Sequence, residues 1–126
     1  MERKQLLISF WQDVAAQDKT ALKAYFTRDA YIRWNNTNEQ FTVDEYIVAN
    51  CEYPGDWQGS VERIETAGPF SITVTRVWPT DCSASFHAVS FFEFEGNKIK
   101  SLSEYWGDDG PPPQWRQNKH IGKPIQ

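Results

Sequence analysis

The stretch SFFEFEGNKIKSLSEYW, residues 90–106, reads as two β-strands joined by a tight turn. Apolar and polar residues alternate along much of both halves, and the Glu-Gly-Asn loop at residues 95–97 has the composition of a short hairpin connection. In the second half, Ile99 and Leu102 fall out of phase with a two-residue repeat. This spacing predicts a β-bulge between them. The hairpin therefore supplies the last two strands of an antiparallel sheet.

Upstream of this hairpin, the stretch FSITVTRVW, residues 70–78, shows the cleanest two-residue alternation in the chain. Such a period predicts a β-strand, and residues 60–66 predict a further one before it. Because one file of residues 70–78 is mostly apolar, we expect that file, with Arg76 in it, to face the core. The outer face of the sheet would then carry Thr73, Thr75, Val77, Val89 and Phe91.

The first half of the chain has helical periodicity instead. Apolar residues recur at helical spacing over residues 2–17, which predicts a first helix there. Asp18 is a suitable N-cap for a second, shorter helix, and residues 29–36 read as a strand. Thr42 and Glu45 have the spacing of a capping box, so a third helix should begin at that point.

Helices followed by an antiparallel meander favour an α+β fold, with three N-terminal helices packed on one face of a strongly curved sheet. The length of 126 residues suits a single domain over residues 1–126. The tail at residues 108–126 is rich in proline and should be irregular. Its segment GPPPQWRQ, residues 110–117, should close over a pocket mouth or over the adjacent helices, because prolines hold it extended and Trp115 can dock.

Three segments, taken in order, resemble the nuclear transport factor 2-like superfamily: YFTRDAYIRW (25–34), TVDEYIVANCEYPG (42–55) and SFFEFEGNKIKSLSEYWGDD (90–109). This cystatin-like α+β barrel is shared by ketosteroid isomerases and SnoaL-like polyketide cyclases. The resemblance covers nearly the whole chain. It implies a mixed or antiparallel sheet around a deep pocket, and a homodimer built on the outer sheet face. It implies no particular reaction, because the fold hosts many chemistries as well as simple binding.

The resemblance also argues against two well-known reactions of the superfamily. Ketosteroid isomerases place their acids at positions that match Trp34 or Asn35 and Ser90, and none of these residues is acidic. The related epoxide hydrolases need an aspartate two residues beyond an arginine, where this chain has Trp78 after Arg76. Neither reaction is therefore expected here.

Glu104 is the strongest candidate for acid–base chemistry. If Leu102 and Trp106 face inward, as the resemblance implies for the last strand, Glu104 faces inward too. A carboxylate between apolar walls has a raised pKa and can act as a general acid or base. The alternatives are a structural ion pair with Arg76 or a hydrogen bond to a ligand. His87 has outward parity in its strand and is a weaker second candidate for a base.

Aromatic residues make up 15% of the chain and supply the expected lining of the pocket. Tyr53 and Trp57 flank a Pro-Gly turn, where core burial is less expected, and Asn50 is placed to point its amide into the cavity. The predicted pocket set is Trp34, Asn50, Tyr53, Trp57, Arg76, Phe86, Ser90, Leu102 and Trp106. A small apolar or aromatic molecule is the expected ligand.

Composition excludes several other partners. The net charge is −4 and no basic stripe is present, which argues against nucleic acid. Apolar runs are too short to span a membrane, and the N-terminus is a poor signal peptide. Neither a metal-ligand spacing nor a phosphate-binding glycine loop occurs, so we expect no cofactor. Cys51 and Cys82 read as free thiols in a reducing cytoplasm, with a disulfide as the alternative.

Two functions from different classes remain open at this point. The first is a small-molecule-binding protein of the SnoaL-like class with an aromatic-lined pocket. The second is a cofactor-free enzyme of the isomerase, cyclase or dehydratase type, which uses Glu104 with Arg76 or a tyrosine hydroxyl. A third reading is a dimerisation module with a vestigial pocket, filled by side chains such as Trp34 and Trp106.

Overall fold

Helices precede most of the sheet, in the predicted order. The computed structural model describes residues 2–126, and within that range it has four α-helices and one six-stranded sheet. The elements are α1 (Arg3–Ala16), α2 (Lys19–Ala24), β1 (Phe26–Trp34), a 3-10 turn (Asn35–Thr37), β2 (Glu39–Thr42), α3 (Val43–Cys51), β3 (Trp57–Ala67), β4 (Phe70–Pro79), β5 (Phe86–Glu95), β6 (Lys98–Asp108) and α4 (Gln114–Asn118). The fold is α+β, as predicted, with one helix more than the three expected.

Both predicted helix starts are confirmed. The Asp18 carboxylate accepts a hydrogen bond from the backbone N–H of Ala21 at 3.1 Å, and this caps α2. At α3, the Glu45 backbone N–H donates to the Thr42 hydroxyl, and the Glu45 carboxylate accepts from the Thr42 backbone N–H. This capping box orients α3 across the end of the sheet.

The sheet has the strand order β2-β1-β6-β5-β4-β3. β1 and β6 run parallel and the other neighbours run antiparallel, so the sheet is mixed. Between β5 and β6, Phe94 pairs with Ile99 while Glu93 pairs with Ser101, which leaves Lys100 as an extra residue. The predicted β-bulge is therefore confirmed. The short strand β2 and the helix α4 have no counterpart in the sequence-based prediction.

The core lies between α1 and the inner face of the sheet. Phe10 of α1 is fully buried and stands edge-on to the rings of Trp11, Tyr25, Phe26 and Phe92. Such edge-to-face contacts add to the stabilisation from area burial. The first helix is thereby fixed over the middle of the sheet, and a space remains between its C-terminal end and the ends of β5 and β6.

The predicted facing of β4 is wrong, although its alternation is right. Ser71, Thr73, Thr75 and Val77 are buried on the inner face, while Ile72, Val74, Arg76 and Trp78 are half-buried on the outer one. The reason lies in α1: the large ring of Trp11 occupies the space over β4, and its indole N–H donates to the Thr73 hydroxyl at 3.0 Å. Small hydroxyl side chains fit beneath that ring and satisfy its donor.

The prediction that the proline-rich segment closes a pocket is also wrong. Every residue from 107 to 126 is exposed, and 63% of Trp115 is exposed. The guanidinium of Arg116 lies over the neighbouring Trp115 ring instead of against the body of the fold. Three prolines hold the chain extended into solvent, where it forms only the short helix α4.

Two further features concern the whole described range. Cys51 is half-buried, Cys82 is exposed, and both thiols are free. None of the helices in residues 2–126 is long and apolar enough to cross a lipid bilayer.

Candidate functional site

A cavity of about 370 Å³ opens between the C-terminal end of α1, the 3-10 turn, α3 and the last residues of β6. Its walls are mostly apolar, and five aromatic side chains contribute to them. The lining residues are Val14, Ala15, Gln17, Trp34, Asn36, Thr37, Ala49, Asn50, Tyr53, Trp57, Val77, Phe86, Trp106 and Asp108. This volume lies within the range of small-molecule sites.

Six of the nine residues of the predicted pocket set lie in this lining, and three do not. The six are Trp34, Asn50, Tyr53, Trp57, Phe86 and Trp106. Leu102 is fully buried in the core, and Ser90 is buried beneath the cavity. Arg76 is on the outer face of the sheet, where its guanidinium lies over the Trp78 ring and donates to the Ser85 hydroxyl. The inclusion of Arg76 in the predicted pocket set is therefore wrong.

Glu104 faces inward, on the cavity side of the sheet, and is 1% exposed. Sheet register brings its two partners beside it, because Ser90 of β5 and Trp34 of β1 both pair directly with Glu104. The Ser90 hydroxyl donates to Oε2 at 2.6 Å, and the Trp34 indole N–H donates to Oε1 at 3.1 Å. Neither Arg76 nor a tyrosine hydroxyl is its hydrogen-bonding partner, so that part of the prediction is wrong.

Burial dominates the acidity of Glu104. Desolvation raises its pKa from 4.5 to about 7, although the hydrogen bonds from Ser90 and Trp34 oppose the shift. The buried phenol of Tyr46 responds in the same direction, since burial and the nearby Glu104 carboxylate raise its pKa. A carboxyl group that titrates near neutral pH can take up or release a proton under ordinary conditions.

The 3-10 turn after β1 holds one wall of the cavity in place. The Asn36 amide makes a reciprocal pair with the backbone of Trp106, donating to its carbonyl at 2.6 Å and accepting from its N–H at 2.7 Å. Asn35 donates to the Ser103 hydroxyl and to the Glu104 carbonyl, both at 2.9 Å. These four bonds fix Trp34 and Trp106 on either side of the buried carboxylate.

The opposite wall is held by amides at the ends of α1 and α3. Gln17 donates through Nε2 to the carbonyls of Asn50 and Tyr53, at 2.9 and 2.8 Å. Asn50 donates to the Val14 carbonyl at 3.1 Å. The Trp57 indole donates to the Pro54 carbonyl at 3.1 Å, and its ring stands edge-on to Tyr53. The aromatic wall is thus tied to both helices.

Sequence reasoning did not find four polar lining residues: Gln17, Asn36, Thr37 and Asp108. Gln17 ends α1 in a left-handed conformation with φ of 55°, and such a C-terminal position has no clear glutamine signal. Asn36 lies at the end of a predicted strand. Its role in the wall depends on a hydrogen bond to Trp106, which is 70 positions away, so no local pattern reveals it. Asp108 is exposed at the end of β6, and an aspartate before a proline-rich tail gives no signal of a place in the lining.

His87 lies on the outer face, as its parity predicts. Its two ring nitrogens approach carboxylates of Asp109 and Glu62, at 2.6 and 2.8 Å. The hydrogen bond to Asp109 is the largest cause of its raised pKa, with Glu62 adding to it and desolvation opposing it. Because this cluster is separated from the cavity by the sheet, His87 is not positioned to act on a molecule bound there.

Several solved structures have the same architecture as this chain. A candidate ketosteroid isomerase from Kribbella flavida DSM 17836 is 22% identical, with 97% of this chain and 88% of that one covered and a TM-score of 0.79. An NTF-2 like protein of unknown function from Burkholderia xenovorans LB400 is 23% identical, with 95% and 93% covered and a TM-score of 0.77. A candidate SnoaL-like polyketide cyclase from Shewanella putrefaciens CN-32 is 14% identical, with 84% and 90% covered and a TM-score of 0.70.

These likenesses show the fold. The chain has the nuclear transport factor 2-like fold, which ketosteroid isomerase-like and SnoaL-like proteins share, and the resemblance in the sequence is confirmed at that level. No family model matches the sequence, and no curated protein matches it. The reactions named for the structural neighbours belong to those proteins, and the function of this chain has to be argued from its own site.

Proposed function

We propose that this protein binds a small, largely apolar or aromatic molecule in the cavity bounded by Trp34, Tyr53, Trp57, Phe86 and Trp106. The observation that supports this proposal is an open space of about 370 Å³ with these five aromatic side chains in its lining. Aromatic walls provide large contact areas at low cost in side-chain entropy. The polar atoms at its edge are few, which suits a ligand with one or two polar groups.

The vestigial-pocket reading is less well supported. It requires side chains such as Trp34 and Trp106 to fill the space. Instead, hydrogen bonding to Glu104 holds the Trp34 indole, and the Asn36 amide holds the backbone of Trp106. With both residues fixed at the wall, the cavity stays open to a ligand.

A cofactor-free enzyme is the second candidate, and one observation favours it. Glu104 lies on the inner face of the sheet with a pKa of about 7, which suits a general acid or base. It is almost fully buried and is not among the lining residues, so a molecule in the cavity does not contact it in this structure. Binding therefore ranks above catalysis on geometry.

A cavity-filling variant tests the binding proposal. Ala49 lines the cavity on α3, while the preceding Val48 is 52% exposed and lies outside the lining. Ala49→Phe should abolish or strongly weaken the binding of a neutral aromatic probe such as 2-naphthol, followed by NMR shifts of the Trp57 indole N–H. Val48→Phe adds an aromatic ring at the neighbouring position and should leave the affinity unchanged. Equal binding to both variants, or no binding to the wild type, would refute the proposal.

The catalytic alternative has its own test. Incorporation of deuterium from solvent into a panel of small carbonyl compounds reports proton abstraction next to a carbonyl. If Glu104 transfers the proton, Glu104→Gln should lose exchange and keep the affinity for 2-naphthol. If the wild type exchanges deuterium into none of the compounds in the panel, the catalytic alternative is refuted and the binding proposal is unaffected.

We also propose a homodimer through the outer sheet face. That face carries Ile72, Val74 and Val89, which are half-buried, and Phe91 and Tyr105, which are exposed and stand edge-on to each other. An exposed apolar set of this kind is typical of a protein interface. Phe91→Glu should convert a dimer to a monomer in sedimentation, and a monomeric wild type at micromolar concentration would contradict the proposal.

Residence in the cytoplasm is a further proposal, and the thiols support it. Cys82 is exposed and free, which fits a reducing compartment. Alkylation of Cys82 immediately on cell lysis should be complete in such a compartment. A blocked Cys82 thiol in that assay would argue for an oxidising one.

A further inference from the structure

We infer that the ligand of the cavity is a small organic cation, in which an ammonium group is carried on an apolar body. The inference rests on the proposed binding function and narrows it to one chemical class. It is carried by three features of the lining: the aromatic faces, the sign of its only formal charge, and the hydrogen-bonding atoms that remain free.

The aromatic rings come from both ends of the cavity. Tyr53 and Trp57 stand edge-on with ring centroids 5.5 Å apart, and Trp57 and Phe86 are 6.0 Å apart at an angle of 46°. Trp34 and Trp106 close the other side. An aromatic ring has a negative face and a positive edge, and a cation is attracted to the face. A cavity with five aromatic side chains in its lining has the composition of the aromatic cages that bind quaternary ammonium groups.

The lining has one charged side chain, and it is negative. Among the described residues that line the cavity, Asp108 is the only acid and there is no lysine, arginine or histidine. Asp108 makes no ion pair within residues 2–126, whereas the adjacent Asp109 is engaged by His87 and Ser85. A carboxylate next to aromatic rings favours a cation and repels an anion.

The free polar atoms point to the same class. Both N–H groups of Gln17 are used by backbone carbonyls, Asn50 donates to the Val14 carbonyl, and the indoles of Trp34 and Trp57 donate to Glu104 and to Pro54. Most donors in the wall are thus committed to the protein itself, and the exceptions among the described residues are the Tyr53 hydroxyl and the Trp106 indole N–H. The oxygens of Gln17, Asn50 and Asp108 remain as acceptors, and acceptors suit a positively charged or donor-bearing ligand.

The test compares two molecules of nearly the same shape. Choline carries a trimethylammonium group, and 3,3-dimethylbutan-1-ol carries a neutral tert-butyl group in its place. Affinities are measured from NMR shifts of the Trp57 indole N–H during titration of the wild type. Because a cation over aromatic rings gains about 2- to 30-fold in affinity, choline should bind at least about fivefold more tightly than the alcohol.

A matched pair of charge variants locates the effect. Asp108→Asn should weaken choline binding about threefold or more and leave the alcohol unaffected. Glu95→Gln makes the same change of charge at the far end of the β5–β6 hairpin, since Asp108 pairs with Phe86 and Glu95 pairs with Lys98. At about 30 Å along the strand, its field is screened, so neither affinity should change. Trp57→Leu, which keeps an apolar wall without a ring, should also reduce the preference for choline.

Each outcome bears on the inference. Equal or tighter binding of the alcohol would overturn it and leave the proposed binding function intact. Binding of 2-naphthol without any binding of choline would do the same. A preference for choline that is unchanged in Asp108→Asn, or choline binding that persists in Ala49→Phe, would also overturn the inference, because the cation would then lie elsewhere. If the wild type binds none of the probes, the proposed binding function itself is refuted.

Discussion

The two faces of the β5–β6 hairpin carry two carboxylates that accept similar hydrogen bonds and behave in opposite ways. Glu104, inside, accepts from Ser90 and Trp34. Asp109, outside, accepts from the Ser85 hydroxyl at 2.6 Å and contacts the His87 ring at 2.6 Å. Burial raises the pKa of Glu104 to about 7. For Asp109, desolvation is opposed and outweighed by hydrogen bonds from Ser85 and His87, and its pKa is lowered.

Glu104 and Asp109 show that hydrogen bonds alone do not set the pKa of a carboxyl group. The charge of its partners and its contact with water also matter. Two good donors stabilise both carboxylates, yet only the outer one has a cationic partner and contact with water. The inner carboxylate lacks both, so its neutral form is favoured up to neutral pH. The buried carboxyl group on the inner face can therefore gain or lose a proton near neutral pH, and the outer face is an ordinary polar cluster.

The largest expected effect is that of Glu104→Gln at alkaline pH. The folded protein keeps its Glu104 proton up to about pH 7, whereas the unfolded chain releases it near 4.5. Stability is therefore lost as pH rises between these two values, and the loss is complete above pH 7. Gln stays neutral, so the variant should be more stable than the wild type at pH 8, by up to about 3 kcal/mol, and about equal at pH 4.

Urea unfolding at both pH values measures this difference. Glu95→Gln, an exposed change of the same type, serves as the control and should alter stability by less than about 0.5 kcal/mol at either pH. A Glu104→Gln variant that is less stable than the wild type at pH 8 would mean that an ionised Glu104 supports the fold, which contradicts the contrast drawn between the two faces.

Ser90→Ala should give the next largest effect, in the opposite direction. Its hydroxyl is fully buried and donates to Oε2 of Glu104. Loss of a hydrogen bond to a buried charged group costs about 2 kcal/mol, and the pKa of Glu104 should rise further. Unfolding at pH 8 should show most of the loss, and at pH 5, where Glu104 is protonated, the loss should be smaller. A loss that does not depend on pH would indicate that Ser90 acts by packing alone.

On the outer face, His87→Ala should cost less than about 1 kcal/mol, because the cluster is partly open to solvent. The hydrogen bond to Asp109 raises the pKa of His87 above 6.5. Its stabilising contribution is therefore complete below pH 6.5 and disappears as pH rises through the raised value. The variant should differ from the wild type at pH 5.5 and match it at pH 9. A larger difference at pH 9 would contradict the assigned ion pair.

The smallest effect is expected for removal of residues 111–126. All of them are exposed, and none lines the cavity. Truncation after Gly110 should change the free energy of unfolding by less than about 0.5 kcal/mol and leave the affinity for 2-naphthol unchanged. A clear drop in the thermal midpoint would show that the tail packs on the fold in solution.

Periodicity, helix caps and turn residues are local signals, and the features that depend on them could be predicted from the sequence. The capping box of Thr42 and the bulge at Lys100 follow from residues a few positions apart, while the inward facing of Glu104 also needed the family resemblance of the last strand. Alternation along β4 was visible as well. Which of its two faces is buried depends on Trp11, 62 positions from Thr73, and no local pattern shows that the ring needs a hydroxyl beneath it.

The candidate site was predictable in its aromatic part and not in its polar part. Aromatic residues next to a Pro-Gly turn, such as Tyr53 and Trp57, already suggested a lining. The partners of Glu104 depend instead on strand register, since Trp34 is 70 positions away and meets it only because β1 and β6 run parallel. Arg76 seemed the natural partner by charge, and the facing of β4 puts it on the other side of the sheet.

The most direct test of the account is the titration of Glu104 in the folded protein. Carbon-13 NMR of the glutamate side-chain carboxyl carbons, with Glu104→Gln to assign the resonance, gives its pKa without reference to any ligand. A buried carboxylate below the cavity, with hydroxyl and indole donors and no cation, should titrate near pH 7. A midpoint near 4.5 would contradict the account, because it would mean that Glu104 is solvated or paired with a charge and that the two faces of the hairpin do not differ.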